Sequence, residues 1–331
     1  MSSHKETAKN IKLVFEVEMR GIIAYNPAAG RIPSRILVER AARILKNNGW
    51  SIDMVRVRSG KHITKLARDA AAAKVDALFV AGGDGSISCA VAGLVGEDTA
   101  LGVLPSGTAN VWAQELGMPG LAYTHWSALQ ESAKQQRKPI VRSVDVGLCS
   151  DRYFLLWSGI GLDAFIVNRI EPRGRIQKNF AVLAYAAAAV WEAAKWRGIT
   201  LNIAVDQQTI HGQYVLALVS NVQLYAGGIA KLSPDSRLDD GYMDLWLFEG
   251  DTFGDTVQCA WDLLSGRHHS SENIHRISFN HLEITSNSVL YLQVDGEPVQ
   301  VDAPVVIKVI PRALKILIPA DAEQVLFSDH D

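Results

Sequence analysis

The chain has 331 residues, enough for two domains of ordinary size. Hydrophobic residues make up 48% and charged residues 21%, which is typical of a globular chain and excludes a disordered one. A formal net charge of -2 gives no general attraction to nucleic acid, and three widely separated cysteines argue against a disulfide framework and favour a reducing compartment.

No segment has the pattern of a leader or a membrane span. The first ten residues are polar, and the run that follows them is interrupted by Lys12, Glu16 and Glu18, unlike a signal peptide. The most apolar later segment, 179–191, is shorter than the roughly 20 residues that a bilayer requires. We therefore expect a cytoplasmic protein without a transmembrane helix.

The first half of the chain alternates apolar runs with amphipathic ones. Predicted strands cover 21–26, 51–57, 76–81 and 99–105, and predicted helices cover 34–49, 62–74, 86–96 and 108–116. Strands that alternate with helices of this length predict a parallel sheet covered on both faces. Ligand sites in such sheets lie at the carboxyl ends of the strands.

Beyond residue 140 the pattern changes to short β-type runs separated by turn residues. These runs cover 142–149, 152–161, 201–206, 214–221, 242–249, 281–286, 290–295, 304–310 and 314–319. Two helical runs interrupt them, around 177–197 and 252–265. The pattern predicts an antiparallel sandwich or barrel. We place a domain over 20–140, a second over 141–319 and a tail over 320–331.

A glycine-rich turn in the segment DALFVAGGDGSISCAVAGL follows the third predicted strand. Such strand–turn–helix segments present backbone N–H groups to an anion, yet Asp84 adds a carboxylate, which we expect to face solvent. The segment lacks the G-K-[ST] of a Walker A loop, and Ser88 occupies the third glycine position of a Rossmann motif. A tight turn that merely needs a positive φ is the alternative.

Two further polar loops follow strands of the same predicted sheet. They are NPAAG after the first strand and PSGTAN after the fourth. For each loop the alternative is helix capping, because Ser, Thr and Asn are favoured at helix starts. Three such loops at one edge of one sheet together predict a cradle for a nucleotide triphosphate.

Asp-Gly pairs occur in two turns of the second half, in LDDGYMD and in VDGEPV. Asp-Gly is the strongest short hairpin signal, so each pair alone predicts a type I′ turn. The functional alternative is that acids on rigid turns bind a divalent cation or accept a proton. His268 and His269 lie in a polar loop without metal-ligand spacing, and we expect that loop to be solvated.

These motifs, in this order, resemble the diacylglycerol kinase catalytic-domain family, which includes bacterial soluble lipid kinases, sphingosine kinases and ceramide kinases. The resemblance runs from about Gly21 to Pro319. GGDG alone is shared with NAD kinases and phosphofructokinases, and the two other motifs, PSGTAN and DGE, make the match specific. The resemblance implies an NAD kinase/phosphofructokinase-like α/β domain, a mostly antiparallel β-sandwich and ATP bound in the cleft between them.

The resemblance also implies roles for individual residues. Main-chain carbonyls of Arg237 and Tyr242 and the Asp240 side chain would bind Mg²⁺. Glu297 would accept a proton, beside Asp295, and Asp84 would hold Mg²⁺ or align the acceptor hydroxyl. The positions carried over to the nucleotide are Asn26, Pro27, Ala28, Ala29, Gly30, Gly82, Gly83, Asp84, Gly85, Ser86, Ile87, Ser88, Gly107, Thr108 and Asn110.

The chain departs from the family pattern at three positions. Val111 stands where many members have Asp, and Ser86 replaces a common Thr. A nucleotide-contacting Thr after the second strand has no clear counterpart, although Ser59 could substitute for it.

The implied function is transfer of the γ-phosphate of ATP, with Mg²⁺, to a hydroxyl of a lipid such as diacylglycerol or a sphingoid base. The alternatives are an NAD-kinase-like phosphotransferase with a soluble acceptor and a non-catalytic nucleotide or lipid sensor. The implied partner is a lipid at a membrane surface, in transient contact. The candidate docking segment is 168–191, because Arg169, Arg173, Arg175 and Lys178 come just before an apolar helix, and the alternative is that this helix packs on the β domain with its cations solvated. A homodimer is compatible with the sequence, and no nucleic acid is expected.

Overall fold

The computed structural model describes residues 19–27, 35–119, 125–136, 139–170, 196–206, 208–300, 303–320, 322 and 326–328. The predicted helix over 177–197 and the predicted docking segment 168–191 fall mostly outside the described residues. So do three residues of the first predicted loop, Ala28, Ala29 and Gly30.

A parallel sheet forms the first half, as the sequence predicts. Its elements are β1 (Met19–Tyr25), α1 (Arg35–Lys46), β2 (Trp50–Arg56), α2 (Gly60–Ala72), β3 (Ala77–Gly82), α3 (Asp84–Leu94), β4 (Ala100–Pro105), α4 (Val111–Glu115) and α5 (His125–Gln135). The strand order is β2-β1-β3-β4, with every neighbouring pair parallel. All residues of β3 and β4 are buried, which explains their continuous apolar runs.

Helix α5 was not predicted from the sequence. Among the residues that it buries are Ala128, Leu129, Ser132 and Ala133, and three of these are small or polar. Its inward face therefore gives only a weak apolar periodicity, and the helix depends on its packing against α1 and β4.

Antiparallel strands form most of the second half, which confirms the predicted fold class. The elements are β5 (Ile140–Cys149), β6 (Arg152–Phe154), β7 (Trp157–Gly161), α6 (Leu162–Ile170), β8 (Ile199–Val205), β9 (Gln208–Ser220), β10 (Leu224–Tyr225), β11 (Ala230–Lys231), β12 (Met243–Glu249), α7 (Phe253–Leu264), β13 (Ile274–Phe279), β14 (His281–Thr285), β15 (Leu292–Val294), β16 (Glu297–Val299) and β17 (Val305–Ile318). The path β16-β15-β7-β9-β8-β14-β17 runs through antiparallel pairs.

The last strand corrects the sequence interpretation of two separate strands at 304–310 and 314–319. β17 is one strand with an irregularity between Ile310 and Leu314, where Arg312 has a φ of 49°. It pairs antiparallel with β5 and reaches β4, where Ile316 lies opposite Leu101 in a parallel pair. The end of the second half therefore extends the sheet of the first.

His268 also corrects an expectation, because it does not lie in a solvated loop. It is 1% exposed, and its ring packs edge-on against Trp246. Its Nε2 is 3.0 Å from the carbonyl oxygen of Leu232. The turn that carries it, Arg267–Ser270, is therefore fixed on the β-rich half.

No helix among the described residues combines the length and the apolar character needed to cross a membrane.

Candidate active site

Two of the three predicted loops meet at the carboxyl edge of the parallel sheet. Gly82 pairs with Pro105 at the ends of β3 and β4, and the Ser106 amide donates to the Gly82 carbonyl. A Cβ added to Gly107 would lie 2.5 Å from the Cα of Gly83, so the two backbones touch and neither position has room for a side chain. The two glycines thus allow the two loops to form one surface.

Asp84 connects these loops from the first position of α3. Its two carboxylate oxygens each accept a bond of 3.1 Å, one from the amide of Val111 and one from the amide of Trp112. The carboxylate therefore caps α4, and the expectation of a solvent-facing turn residue is wrong, because the residue is half-buried. Burial raises the pKa of Asp84, and the backbone bonds oppose that shift.

Asn110 holds the second loop in shape. Its Oδ1 accepts from the Gly107 amide at 2.8 Å, its Nδ2 donates to the Gly107 carbonyl, and its backbone is left-handed with φ 54°. Asn tolerates that conformation better than most residues. Thr108, between them, is exposed.

The other predicted nucleotide residues lie at different depths around this edge. Asn26 and Pro27 follow β1 and are half-buried, as is Ser86 in the first turn of α3. Ile87 belongs to the core at 2% exposure, and its amide donates to the Gly83 carbonyl. Ser59 caps α2, accepting from the His62 amide at 3.3 Å.

The hairpin β15–β16, here called the D-G-E hairpin, has the predicted type I′ turn. Asp295 and Gly296 have φ values of 47° and 80°, so both central residues are left-handed. Asp295 is 8% exposed and its carboxylate accepts four hydrogen bonds. The donors are the Ser88 hydroxyl at 2.5 Å and the amides of Leu155, Leu156 and Trp157 at 3.1, 2.9 and 3.2 Å.

Asp295 therefore joins three parts of the chain: the D-G-E hairpin, the connection between β6 and β7, and helix α3. Burial raises its pKa, and the four bonds to the carboxylate oppose that shift. Asp295 therefore fixes the positions of the segments that it contacts. Its bond with Ser88 links the parallel sheet to the β-rich half.

Glu297 follows the turn and is exposed. A Cβ placed on Gly85 would lie 3.7 Å from Glu297 Oε1, so this carboxylate stands over the first turn of α3. Its charge also raises the pKa of the Cys89 thiol, after the larger effect of burial. A carboxylate from the β-rich half therefore faces the glycine-rich edge of the parallel sheet.

Sequence reasoning missed two residues that hold the D-G-E hairpin. Gln293 is fully buried; its Oε1 accepts from the Gly296 amide and its Nε2 donates to Asp163 Oδ2, both at 2.7 Å. Burial raises the pKa of Asp163, and bonds from Gln293 and Tyr225 oppose that shift. A polar residue at an inward position of a short apolar strand is the signal that could have indicated Gln293.

The other Asp-Gly pair does not form the predicted type I′ hairpin. Only Gly241 of that pair has a positive φ, 81°, and the strands on either side, β11 and β12, do not pair with each other. Asp240 is exposed and its Oδ1 accepts from the Tyr242 amide at 3.0 Å. The segment 237–242 is therefore an irregular loop closed by a local side-chain bond.

Asp145 lies beneath this loop and was not among the predicted site residues. It is fully buried, and its carboxylate accepts from the amides of Gly241 and Arg312, both at 2.7 Å. Burial, with smaller contributions from the charges of Asp240 and Asp239, raises its pKa to about 6. Burial also raises the pKa of Asp240, with further contributions from Asp244 and Asp239.

The acidic groups of this loop fit a bound cation. Their ligand atoms are oxygens, and their carboxylates repel one another when no cation is bound. Within the described ranges, no cluster of three or more His, Cys, Asp or Glu side chains has metal-binding geometry. The predicted ligand set is of another kind, with one side chain, Asp240, and two main-chain carbonyls.

Two family models together match most of the chain. The diacylglycerol kinase catalytic domain matches residues 20–148, and the YegS C-terminal NAD kinase beta sandwich-like domain matches residues 158–318. The fold and these matches define a kinase, a phosphotransferase with an alcohol group as acceptor. The chain belongs to the diacylglycerol kinase catalytic-domain family of lipid kinases, which confirms the resemblance found in its motifs.

Individual relatives agree with the family models. The diacylglycerol kinase of Bacillus subtilis is 27% identical over 283 residues, covering 84% of this chain and 89% of the relative. The diacylglycerol kinase of Mycobacterium tuberculosis is 25% identical over 316 residues, covering 89% and 93%. A crystal structure of a diacylglycerol kinase from Bacillus anthracis superimposes with a TM-score of 0.73 at 23% identity, covering 92% of this chain and 97% of that one, and supports the fold.

Proposed function

We propose that this protein transfers the γ-phosphate of ATP to a hydroxyl of a lipid, with diacylglycerol or a sphingoid base as the class of acceptor. The observation that carries the proposal is the position of Glu297, on the D-G-E hairpin, above the first turn of α3. A proton acceptor and a glycine-rich backbone edge then face each other, as in-line phosphoryl transfer requires.

In this proposal the nucleotide phosphates lie on the edge formed by Gly82–Ser86 and the 105–110 loop. Helix α3 begins there without a side-chain cap on its N-cap residue, Gly83. The amides of Ser86 and Ile87 donate to the Gly83 carbonyl, whereas the amides of Asp84 and Gly85, at the first two helical positions, have no carbonyl one turn earlier in the helix and can donate to phosphate oxygens. Asp84 acts through position, because its carboxylate holds α4 and thereby the 105–110 loop.

Glu297 accepts the proton of the lipid hydroxyl while that oxygen bonds to the γ-phosphorus. The bond between the γ-phosphorus and the β–γ bridging oxygen breaks, and ADP leaves with that bridging oxygen. Magnesium bound with the nucleotide would neutralise the charge that these oxygens carry. Asp295 keeps the turn in place with its four bonds.

The 237–242 loop is the proposed site of a second, structural Mg²⁺. Asp240 and the carbonyls of Arg237 and Tyr242 would be the ligands, and the cation would relieve the repulsion among Asp240, Asp239 and Asp145. The proposed localisation is cytoplasmic, with transient contact with membranes. A homodimer stays a proposal.

The decisive experiment supplies labelled ATP and Mg²⁺ with a lipid extract in one reaction and with NAD in another. Label in an extracted lipid supports the proposal, and identification of that lipid names the acceptor. Label in NADP would instead favour the NAD-kinase-like alternative, and label in neither product would favour the sensor. Glu297→Gln serves as the inactive control, with Glu272→Gln as its exposed counterpart.

A further inference from the structure

Helix α7 presents an apolar stripe to the outside of the molecule. Phe253, Val257, Trp261 and Leu264 are 41, 52, 60 and 61% exposed. Their spacing of four, four and three residues places them on one side of the helix.

This outward face carries no charge. The remaining exposed residues of α7 are Gly254, Gln258 and Ala260, and Gln258 bonds to Asp262 within the helix. A helix face in water ordinarily carries Lys, Arg, Asp or Glu. The composition therefore indicates a face that is covered when the protein acts.

The opposite side of α7 packs against the protein core, so the apolar stripe lies on a well-anchored helix. Cys259 and Leu263 pack in the core. A capping box between Thr252 and Asp255 closes its first turn. The turn that follows is anchored through His268 on Trp246.

The stripe is also connected to the candidate active site. Helix α7 contacts β11, and the turn between β10 and β11 is tied to α4, because Gln114 Nε2 donates to the carbonyls of both Ala109 and Gly227. Ile229, on that same turn, is 73% exposed. One short hairpin thus lies between the stripe and the 105–110 loop.

We propose that α7 docks on a lipid bilayer by inserting Phe253, Val257, Trp261 and Leu264 into the interface. The proposal rests on the proposed function, since a lipid acceptor has to be reached at a membrane. Aromatic and aliphatic side chains on one face of a helix are the pattern of interfacial helices. The residues involved here are different from those of the sequence segment 168–191.

The exposed area of the stripe favours a bilayer over a second copy of the chain as its partner. The four residues expose on the order of 300–500 Å² in total, given these exposed fractions and fully exposed areas of about 150–250 Å² each. A stable dimer buries about 800 Å² from each partner, so this stripe alone is too small for one. Reversible insertion into a bilayer has no such minimum, because it increases with the apolar area buried.

Because the stripe is uncharged, docking through α7 is expected to depend little on lipid charge or salt. The protein should sediment with phosphatidylcholine vesicles and with mixed phosphatidylcholine–phosphatidylglycerol vesicles to similar extents, at low and high salt. Docking through the cationic segment 168–191 would instead require the anionic vesicles and weaken with salt.

The test compares three substitutions by glutamate, each made in the full chain. Trp261→Glu and Leu264→Glu should each weaken vesicle binding about tenfold or more, because a buried apolar side chain contributes at least that factor. Ile36→Glu is the matched control, since Ile36 is aliphatic, lies on helix α1 and is 61% exposed like Leu264. It should bind vesicles as the wild type does.

Trp261→Phe provides a second measurement that does not depend on a charge. It should keep vesicle binding but lose most of the tryptophan quenching by brominated acyl chains. Equal binding of Trp261→Glu and wild type would overturn the proposal. So would a concentration-dependent wild-type dimer, in the absence of vesicles, that Trp261→Glu converts to a monomer.

An activity measurement separates this proposal from the proposed function. Trp261→Glu should lose phosphorylation of lipid in vesicles and keep phosphorylation of lipid dispersed in detergent. If the wild type phosphorylates no lipid in either form, the proposed function fails. The difference in vesicle binding between wild type and Trp261→Glu still decides the docking proposal.

Discussion

The two Asp-Gly turns of the second half have the same dipeptide and opposite structures. Asp295 and Gly296 form a type I′ hairpin in which the aspartate is buried and accepts four hydrogen bonds. Asp240 and Gly241 form an irregular loop in which the aspartate is exposed. Among the described residues, its carboxylate accepts a hydrogen bond from the Tyr242 amide in the same loop. The aspartate carboxylate holds distant segments of the chain in the first turn. In the second turn it remains exposed at the surface.

The difference shows that burial, and not residue type, separates the acids that hold distant backbone amides from the acids that lie on the surface. Asp84, Asp145 and Asp295 all hold backbone amides of distant segments. Glu297 and Asp240 are exposed. The first group is therefore expected to act on stability, and the second on chemistry and cation binding.

The largest expected effect is that of Asp295→Asn. Asn tolerates the left-handed backbone, and the change replaces one carboxylate oxygen, which accepts two of the four bonds, by an NH₂ donor that faces other donors. We expect the free energy of unfolding to fall by about 2–4 kcal/mol, with loss of activity. Urea denaturation of Asp295→Asn beside Asp240→Asn measures this. Equal stability of the two variants would remove the distinction between the turns.

Glu297→Gln is expected to lower kcat by about 10²–10⁴-fold, because the amide cannot accept the hydroxyl proton. The side chain is exposed, so thermal stability should stay within about 0.5 kcal/mol of wild type. Steady-state kinetics and a melting curve on the same preparation check both points. Near wild-type turnover would show that another group accepts the proton.

Gln293→Glu is expected to lower kcat about tenfold, since it places a second carboxylate against Asp163 and disturbs the turn that carries Glu297. The double variant Asp163→Asn/Gln293→Glu restores a donor opposite an acceptor and should recover most of that loss. The double-mutant cycle measures the coupling. Additive effects would mean that the two residues act independently.

Millimolar Mg²⁺ is expected to raise the melting temperature of the wild type and not that of Asp240→Asn. At ten times the dissociation constant a single cation stabilises by about 1.4 kcal/mol, or roughly 2–4 °C for a chain of this size. Chelation should reverse the shift. An equal shift in Asp240→Asn would place the cation elsewhere.

A further expected effect concerns pH and Asp145. Its pKa of about 6 in the folded chain lies above the ordinary value of 3.8, so the folded state binds the proton more tightly. The contribution of Asp145 to the free energy of unfolding is therefore fully present below pH 3.8 and is lost as pH rises through about 6. Urea midpoints between pH 4.5 and 7 should show this component in wild type without Mg²⁺ and not in Asp145→Asn.

Local sequence predicted the parallel sheet, its loops and the D-G-E turn because each depends on a short pattern. The continuous apolar runs of β3 and β4 and the Asp-Gly pair at 295–296 are such patterns. The same reasoning was wrong for the turn at 240–241, where the neighbouring strands do not pair. It also divided β17, since the irregularity at Arg312 resembles a turn along the sequence.

The sequence by itself determined which segments of the first half are strands and helices, apart from α5, and it determined the family and the identity of the acids near the glycine turn. Only the tertiary structure decided what each acid does. Asp295 meets Ser88 across 207 positions of the chain, and Asp145 meets Arg312 across 167. Contacts between residues so far apart depend on how the two halves pack, and no local pattern records them, because propensity and periodicity report only a residue's neighbours along the chain.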